Sequence, residues 1–389
     1  MSRFIKNIIK KKIFLFQKIL FYISNFIFSL ILKRNSIDWT LGVKENCKNV
    51  FYFSKLIKKS YSVCFYQDLY YNLSYDYSLK PGKFNYIKII FIGPILFSYL
   101  LIKSKGFIYF SRTSFFNPIG TTNGSFEWKK IKDNKKKLAF FYSGGDIRSH
   151  NLTMKLEKKV GLDSASRYFS LIHPEIKTKK YEDNLKMYCR EVEKYADIIF
   201  NYETDQITYF KKKALPFFYL YDDKNCKLDL RKFNNNKTTN IIHCPTCQIS
   251  KGTQLIRYAV QNLINEGYKI SYQEIVGKKN SIVLQRLEKA HIVINELYAW
   301  VPGLLGVEAL FKNCVLVTAA DENIETMLPE GSNKAWMVTN YLSIHKNLKI
   351  LIKNKNLQKS FAKTGFEWAT KHASLKSNKQ KILKILEIN

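Results

Sequence analysis

Three short stretches of this chain carry residue types that could bind an anion or a sugar, and each directly follows an apolar run. "QISKGTQ" places Lys251, Gly252 and Thr253 just before a helical pattern. "HIVINELYAWVPGLLGVEALFKNCVLVT" places Gly303, Gly306 and Glu308 where a second helix begins. The start of a helix leaves N–H groups unpaired and carries partial positive charge, which suits phosphate. Glycines there let a ligand approach the backbone, and a lysine beside them can pair with a diphosphate. Glu308, about one turn into its helix, can accept hydrogen bonds from sugar or ribose hydroxyls. Lys251-Gly252 is not a P-loop, because the upstream glycine of that pattern is missing. "FYSGGDIRSH" sets Gly144, Gly145, Asp146 and Arg148 after a strand in the first half, where Asp146 could orient an acceptor hydroxyl and Arg148 could bind phosphate. Taken singly, each residue also has a plainer reading: tight turns for the glycines, caps or neighbours for the charged groups.

The elements that must position these residues alternate along the chain. After a leader, "DWTLGVKENCKNVFYFSKLIKKSYSVCFYQ" reads strand, loop, helix, strand; "GFIYFSR" and "KKKLAFFYSGG" read as further strands. "NLKMYCREVEKYADIIFNYETDQITYF" reads as a long helix, a short strand at 197–200 and another helix. A polar, asparagine-rich break at 228–240 looks like a linker, and the alternation then restarts through "IIHC", "YKISYQEIVG", "HIVIN" and "CVLVT". This pattern predicts an α/β protein with two Rossmann-like, doubly wound domains facing a cleft. The expected divisions are 1–35 for a basic apolar helix, 36–228 and 229–372 for the two domains, and 373–389 for a terminal helix. Ligands of such sheets sit beyond the carboxyl ends of the strands, and with two domains the cleft is the natural site.

Composition narrows the partners. Sixty-four Lys and Arg against 31 Asp and Glu give a formal charge of +33, compatible with nucleic acid, anionic lipid or polyanionic substrates. The same abundance of Lys, Asn, Ile, Phe and Tyr is what an AT-rich genome would produce. The charge is spread, with no RNA-recognition, zinc-finger or basic-zipper signature, which weighs against nucleic acid. Seven scattered cysteines favour a reducing, cytoplasmic setting. "CPTC" at 244–247 has redox spacing but no second pair for zinc, and reads first as a strand-end loop. No metal or other cofactor is expected. The leader, residues 1–34, holds eight Lys or Arg and no acid around an apolar run interrupted by Gln17, Lys18 and Asn25. An interfacial helix among anionic headgroups fits best, with a single span and a soluble covering helix as competitors. The second apolar run, 87–103, contains Pro94 and reads as a buried helix. The stretch 66–84 packs five tyrosines, whose faces could stack on sugars.

Jointly, Lys251-Gly252-Thr253, the "HIVIN" strand and "PGLLGVEALFKNCVLVT" resemble the donor domain of family-4-type glycosyltransferases of the GT-B fold. "FYSGGDIR" resembles the family's acceptor loop, "EKYADIIF" the helix and strand that close it, and "FAKTGFEWATKHAS" its C-terminal helix. The resemblance implies a retaining, nucleotide-sugar-dependent enzyme in which Lys251 binds the donor diphosphate, Glu308 holds the ribose, and Asp146, Lys251 and Glu308 serve catalysis. Gly252, Thr253, Gly303 and Gly306 would complete the donor side, with Gly144, Gly145, Asp146 and Arg148 on the acceptor side. Expected partners are a nucleotide-sugar donor, a cell-surface glycan or lipid-linked acceptor, and the anionic inner face of a membrane. The sequence departs from the family pattern at Trp300, where a first glutamate is expected, at Thr246 for an arginine, near Tyr142-Ser143 for a histidine, and at Asn313-Cys314 for Gly-x-Pro. A glycerophosphotransferase-like enzyme and a catalytically silent binding partner are the alternatives.

Overall fold

The computed structural model describes residues 3–68, 70–116, 124–234 and 237–388, with side chains from Ile8 onward. Leu69 of the tyrosine-rich stretch and Asn235 and Asn236 of the expected linker lie outside the described residues. In the first half, strands β1 (Ile37–Gly42), β2 (Ser60–Cys64), β3 (Tyr77–Ser78), β4 (Ser104–Tyr109), β5 (Lys137–Phe141) and β6 (Ile198–Phe200) form a parallel sheet ordered β3-β2-β1-β4-β5-β6. Around it run α1 (Arg3–Ile31), α2 (Asn49–Leu56), α3 (Asn85–Lys103), α4 (Ser125–Asp133), α5 (His150–Val160), α6 (Ala165–Ile172) and α7 (Lys179–Tyr195). In the second half, β7 (Thr239–His243), β8 (Ile270–Glu274), β9 (Ile292–Ile294), β10 (Val315–Thr318) and β11 (Met337–Val338) pair in parallel in the order β11-β10-β9-β7-β8. Its helices are α8 (Thr253–Asn265), α9 (Asn280–Leu287), α10 (Gly303–Phe311), α11 (Ile344–Lys353), α12 (Lys355–His372) and α13 (Leu375–Ile385).

The central strands are continuous apolar runs because both faces of a parallel sheet are covered by helices. Leu138 to Phe141 and Val315 to Val317 are all fully buried. Each sheet reverses its winding beside its first strand, between β1 and β4 and between β7 and β9. Crevices beyond the carboxyl ends therefore open at the loops after β1, β7 and β9. One core cluster joins the halves, running from Trp39 and Phe53 to Leu310, Trp336 and Trp368. Helix α12 packs on α10 and β10, whereas α13 lies on α2, so the chain's end bridges the two sheets.

The expected helix after β6 does not form. Side-chain partners from elsewhere claim this segment: Glu325 accepts the N–H groups of Thr204 (2.9 Å) and Asp205 (2.8 Å), and the Gln206 amide donates to the Gly144 carbonyl (2.6 Å). Tertiary hydrogen bonds thus replace the helical ladder that local pattern alone suggests. Burial of the Glu325 carboxyl raises its pKa to about 7.

Helix α1 lies along α3 in parallel, pairing Phe16 with Phe91, Phe21 with Phe97 and Phe28 with Tyr99. Pro94 has no N–H, which leaves the carbonyl of Ile90 without its helical donor. The buried Gln17 amide of α1 supplies that donor at 3.3 Å, and Ser24 bonds Ser98 at 2.7 Å. This explains a glutamine inside an apolar helix. It also fixes the register of α1 on α3. The second apolar run, read as a buried helix, forms α3 with about half of its length buried.

Two stability tests follow from these contacts. Gln17→Leu orphans the Ile90 carbonyl and should cost about 1–3 kcal/mol in urea unfolding, with most of the loss recovered when Pro94→Ala restores the helical N–H. Glu325 concerns pH. Between its ordinary 4.5 and about 7 the folded chain keeps a proton that the unfolded chain has released, so stability declines as pH rises through that window and then levels. Glu325→Gln should flatten that slope in melting curves, removing on the order of 3 kcal/mol of pH-dependent change.

Candidate active site

A cavity of about 450 Å³ lies between the carboxyl ends of the two sheets, within the range of small-molecule sites. Gly144, Gly145, Arg148, Lys251, Gly303 and Glu308 all line it. Residues singled out from three separate stretches therefore share one space.

The second sheet contributes the floor. Gly252 adopts φ +75° at the start of α8, where a Cβ would sit 2.9 Å from Leu297, and this turn delivers Lys251 to the cavity. The Lys251 ammonium lies 2.5 Å from a Glu296 carboxylate oxygen and 3.3 Å from Asn295 Oδ1. The Asn295 amide in turn donates to the Pro302 carbonyl at 2.6 Å, pinning the start of α10. Gly303 sits at φ +64° and its N–H donates to the Tyr219 hydroxyl at 3.1 Å. Leu304 and Leu305 also line the cavity, and first-turn N–H groups have no acceptor within their own helix.

Helix α2 and its approach supply the roof. The Glu45 carboxylate accepts the N–H groups of Asn46 (2.8 Å), Val50 (3.3 Å) and Phe51 (3.1 Å) and the Tyr75 hydroxyl (2.9 Å), capping α2 and shaping the turn before it. Lys48, in the left-handed region at φ 62°, then projects across the cleft. Its ammonium is 2.9 Å from Glu308 and 2.8 Å from the Asn280 side-chain oxygen, with the Tyr71 ring 4.8 Å away. The Asn280 amide bonds both Glu308 oxygens, at 3.0 and 3.1 Å. On the adjoining wall Arg148 grips Asp205 at 2.6 Å, and Asp205 accepts the Trp300 N–H at 2.9 Å. Three cations at the cleft are thus each matched by a carboxylate: Lys251 by Glu296, Lys48 by Glu308, Arg148 by Asp205. A bound anion would exchange with these internal partners, and Lys278 adds an exposed cation at the rim.

Four of the sequence-singled residues stand elsewhere. Thr253 is fully buried and its hydroxyl meets His243 Nε2 at 2.9 Å, while His243 Nδ1 reaches the Ile294 carbonyl at 2.8 Å. Burial lowers the His243 pKa to about 4, so the ring is neutral and Thr253 ties α8 to β7 and β9 instead of facing a donor. Gly306 packs against Leu316 and Pro302, leaving no path to the cavity. Gly252 shapes the Lys251 turn without lining the cavity. Asp146 is absent from the lining residues; it faces Asn46 at 3.4 Å, with burial raising its pKa against the pull of Lys44 and Arg112. Cys244 and Cys247 line the cavity as free thiols, and burial pushes Cys244 up to about 12, far from a reactive thiolate. Among the described residues no cluster of His, Cys, Asp or Glu has metal-site geometry.

The departures from the family pattern have local explanations. Asn313 takes φ 56° just beyond α10, the left-handed position a glycine would fill, and its amide donates to the Lys227 carbonyl at 3.0 Å. Trp300 is buried in the interdomain contact to Asp205. Sequence reasoning missed Lys48, Asn280, Glu296 and Asp205. The signal available for Lys48 was its place just past the first strand, at the winding reversal. Removing Lys48 alone leaves Glu308 charged and buried, so Lys48→Met should destabilise by about 3–5 kcal/mol in denaturant unfolding. The Lys48→Met/Glu308→Leu double variant should recover most of that loss.

No protein-family model and no curated protein matches the sequence. Solved structures do. A sucrose-phosphate synthase from Thermosynechococcus elongatus superposes with a TM-score of 0.53 at 8% identity, over 91% of this chain and 98% of that one. WaaG, a glycosyltransferase involved in lipopolysaccharide biosynthesis, gives 0.51 at 10% identity over 90% and 99%. A Listeria monocytogenes protein assigned as a UDP-N-acetylglucosamine 2-epimerase gives 0.51 at 12% identity over 91% and 96%. At such identities the likeness speaks for architecture alone, and with two parallel sheets facing one cleft behind an apolar N-terminal helix, this chain has the GT-B fold.

Proposed function

We propose that the chain is a glycosyltransferase that moves a sugar from a nucleotide-diphosphate donor to a cell-surface or lipid-linked glycan at the inner, anionic face of a membrane. One observation carries this reading: Lys251, the start of α10 and Glu308 line one cavity at the winding reversal of the second sheet. Breaking the anomeric bond leaves negative charge on the departing diphosphate. Lys251 and the first-turn amides of α10 would hold that charge in a site partly closed from water. Glu308 would accept the ribose hydroxyls once Lys48 shifts toward the phosphates. Gly144 and Gly145 also line the cavity, with open space at Gly144, and Tyr70 and Tyr71 from the tyrosine-rich stretch line it near Asn280 and Lys48 as faces for a sugar acceptor. Asp146 would act on the acceptor only through movement of its loop.

A screen of nucleotide sugars by thermal shift should find one that raises the melting temperature, because a ligand of the folded state stabilises it by mass action. Lys251→Ala/Glu296→Ala, which removes the internal pair together, should weaken that ligand about 10- to 100-fold, as expected for one lost charge-assisted contact. Unchanged affinity and turnover would show the assignment to be wrong. Stabilisation without any sugar transfer would favour the silent binding partner.

A further inference from the structure

Helix α1 is built inside out for a helix in water. Its inward line carries Gln17 and Ser24 beside Phe21, whereas Leu15, Ile19, Ile23, Phe26, Ile27 and Leu30 point outward, Phe26 at 67% and Leu30 at 71% exposure. Water-facing helices show the reverse arrangement. The outward face continues onto α3, where the exposed Phe91 ring meets Phe16 at 5.4 Å. Such a contiguous apolar face marks a docking surface.

Both helices are long and apolar enough to span a bilayer, yet the packing ties them down. Helix α3 joins β3 to β4 within one sheet, and α1 is bonded to it from Gln17 to Phe28. Neither can leave the domain without breaking those contacts, so the pair suits a position flat in a bilayer surface. Because both helices run towards the amino ends of β1 and β4, their C-terminal turns meet at one corner.

That corner holds a second cavity of about 430 Å³, lined by Arg34, Asn35, Lys105, Lys135, Lys136 and Lys137 together with the last turns of α1 and α3. Lys105 pairs with Asp38 and Lys137 with Glu387. Arg34, Lys135 and Lys136 have no carboxylate partner among the described residues. Lys136 is only 8% exposed, and its ammonium donates to Asn35 Oδ1 (2.9 Å) and to the Ser104 carbonyl. Burial, and after it the neighbouring Arg34, lowers its pKa to about 8. In the main cleft Lys251, Lys48 and Arg148 each meet a carboxylate; in this corner Arg34, Lys135 and Lys136 do not.

Resting on the membrane reading above, we propose that this cavity seats the phosphate of an anionic lipid headgroup while the joint outer face of α1 and α3 lies among the acyl chains. A bilayer is the occupant that matches both features, since the apolar face is bordered by Lys10 to Lys12 at one end and Lys33 and Arg34 at the other, with no acid in the leader.

The test uses the full chain in vesicle sedimentation, with phosphatidylcholine alone or mixed with phosphatidylglycerol. Arg34→Gln/Lys135→Gln alters two exposed cations and leaves Lys136 and the fold in place, as a melting curve will check. The same charge loss at Lys155→Gln/Lys158→Gln on α5 is the control. Wild type should prefer mixed vesicles at least tenfold, the corner variant should lose most of that preference, and the control should keep it. Phe26→Glu/Leu30→Glu should abolish binding to both vesicles. Equal binding by wild type and the corner variant, or an equal loss in the control, would overturn the headgroup site while leaving the membrane reading intact. Binding of inorganic phosphate without binding of mixed vesicles would overturn the lipid source. Wild type that binds neither vesicle, or that dimerises through Phe26 and Leu30, would remove both, whereas nucleotide-sugar binding would still stand or fall by its own screen.

Discussion

The ion pair between Lys48 and Glu308 is the constraint on which the cleft depends. It joins the turn after the first strand of one sheet to the helix that follows the third strand of the other, at 2.9 Å and out of water. A buried pair of this kind contributes little net stability over apolar residues, but losing one partner is severe. Its value here is specificity of placement. Glu45 caps α2 so that Lys48 emerges in a left-handed turn, and Asn280 holds the far side of Glu308, so the two domains meet in one register.

The same logic recurs at Lys251 with Glu296 and at Arg148 with Asp205. A chain with a formal charge of +33 has cations to spare, yet three at its cleft are each matched by a carboxylate. Matching lowers the cost of burying charge before a ligand arrives. It also means that any anion entering the cleft would gain only the difference between its own contacts and those it displaces.

The direction of the strands sets two features of the first domain apart. Carboxyl ends lead to the shared cleft, and amino ends lead to the unmatched basic corner under α1 and α3. Parallel strands force this arrangement, because every crossover returns the chain to the same edge. A sheet a few residues deep thus sets the cleft apart from the surface that α1 and α3 cover.

Much of the architecture was legible in the sequence, because buried parallel strands are short apolar runs and the helices between them keep their own period. The strands "IIHC", "HIVIN" and "CVLVT" and the glycine-marked start of α10 are local statements, and the structure has them where the residues put them. The segment after β6 was misread because its groups bond to Glu325, Arg148 and Trp300, which lie far away in sequence. Thr253 and Gly306 have suitable neighbours and spacing, but only packing reveals that one ties down His243 and the other fits beneath Leu316. Lys48 and Asn280 carry no motif at all. By itself the sequence determined which loops end strands and which helices begin with exposed amides, since propensity and period act over a few residues. Which of those loops face one another, and which carboxylate neutralises which cation, was decided by tertiary structure, because ion pairing and burial depend on distance in space between residues that the chain keeps tens to hundreds of positions apart.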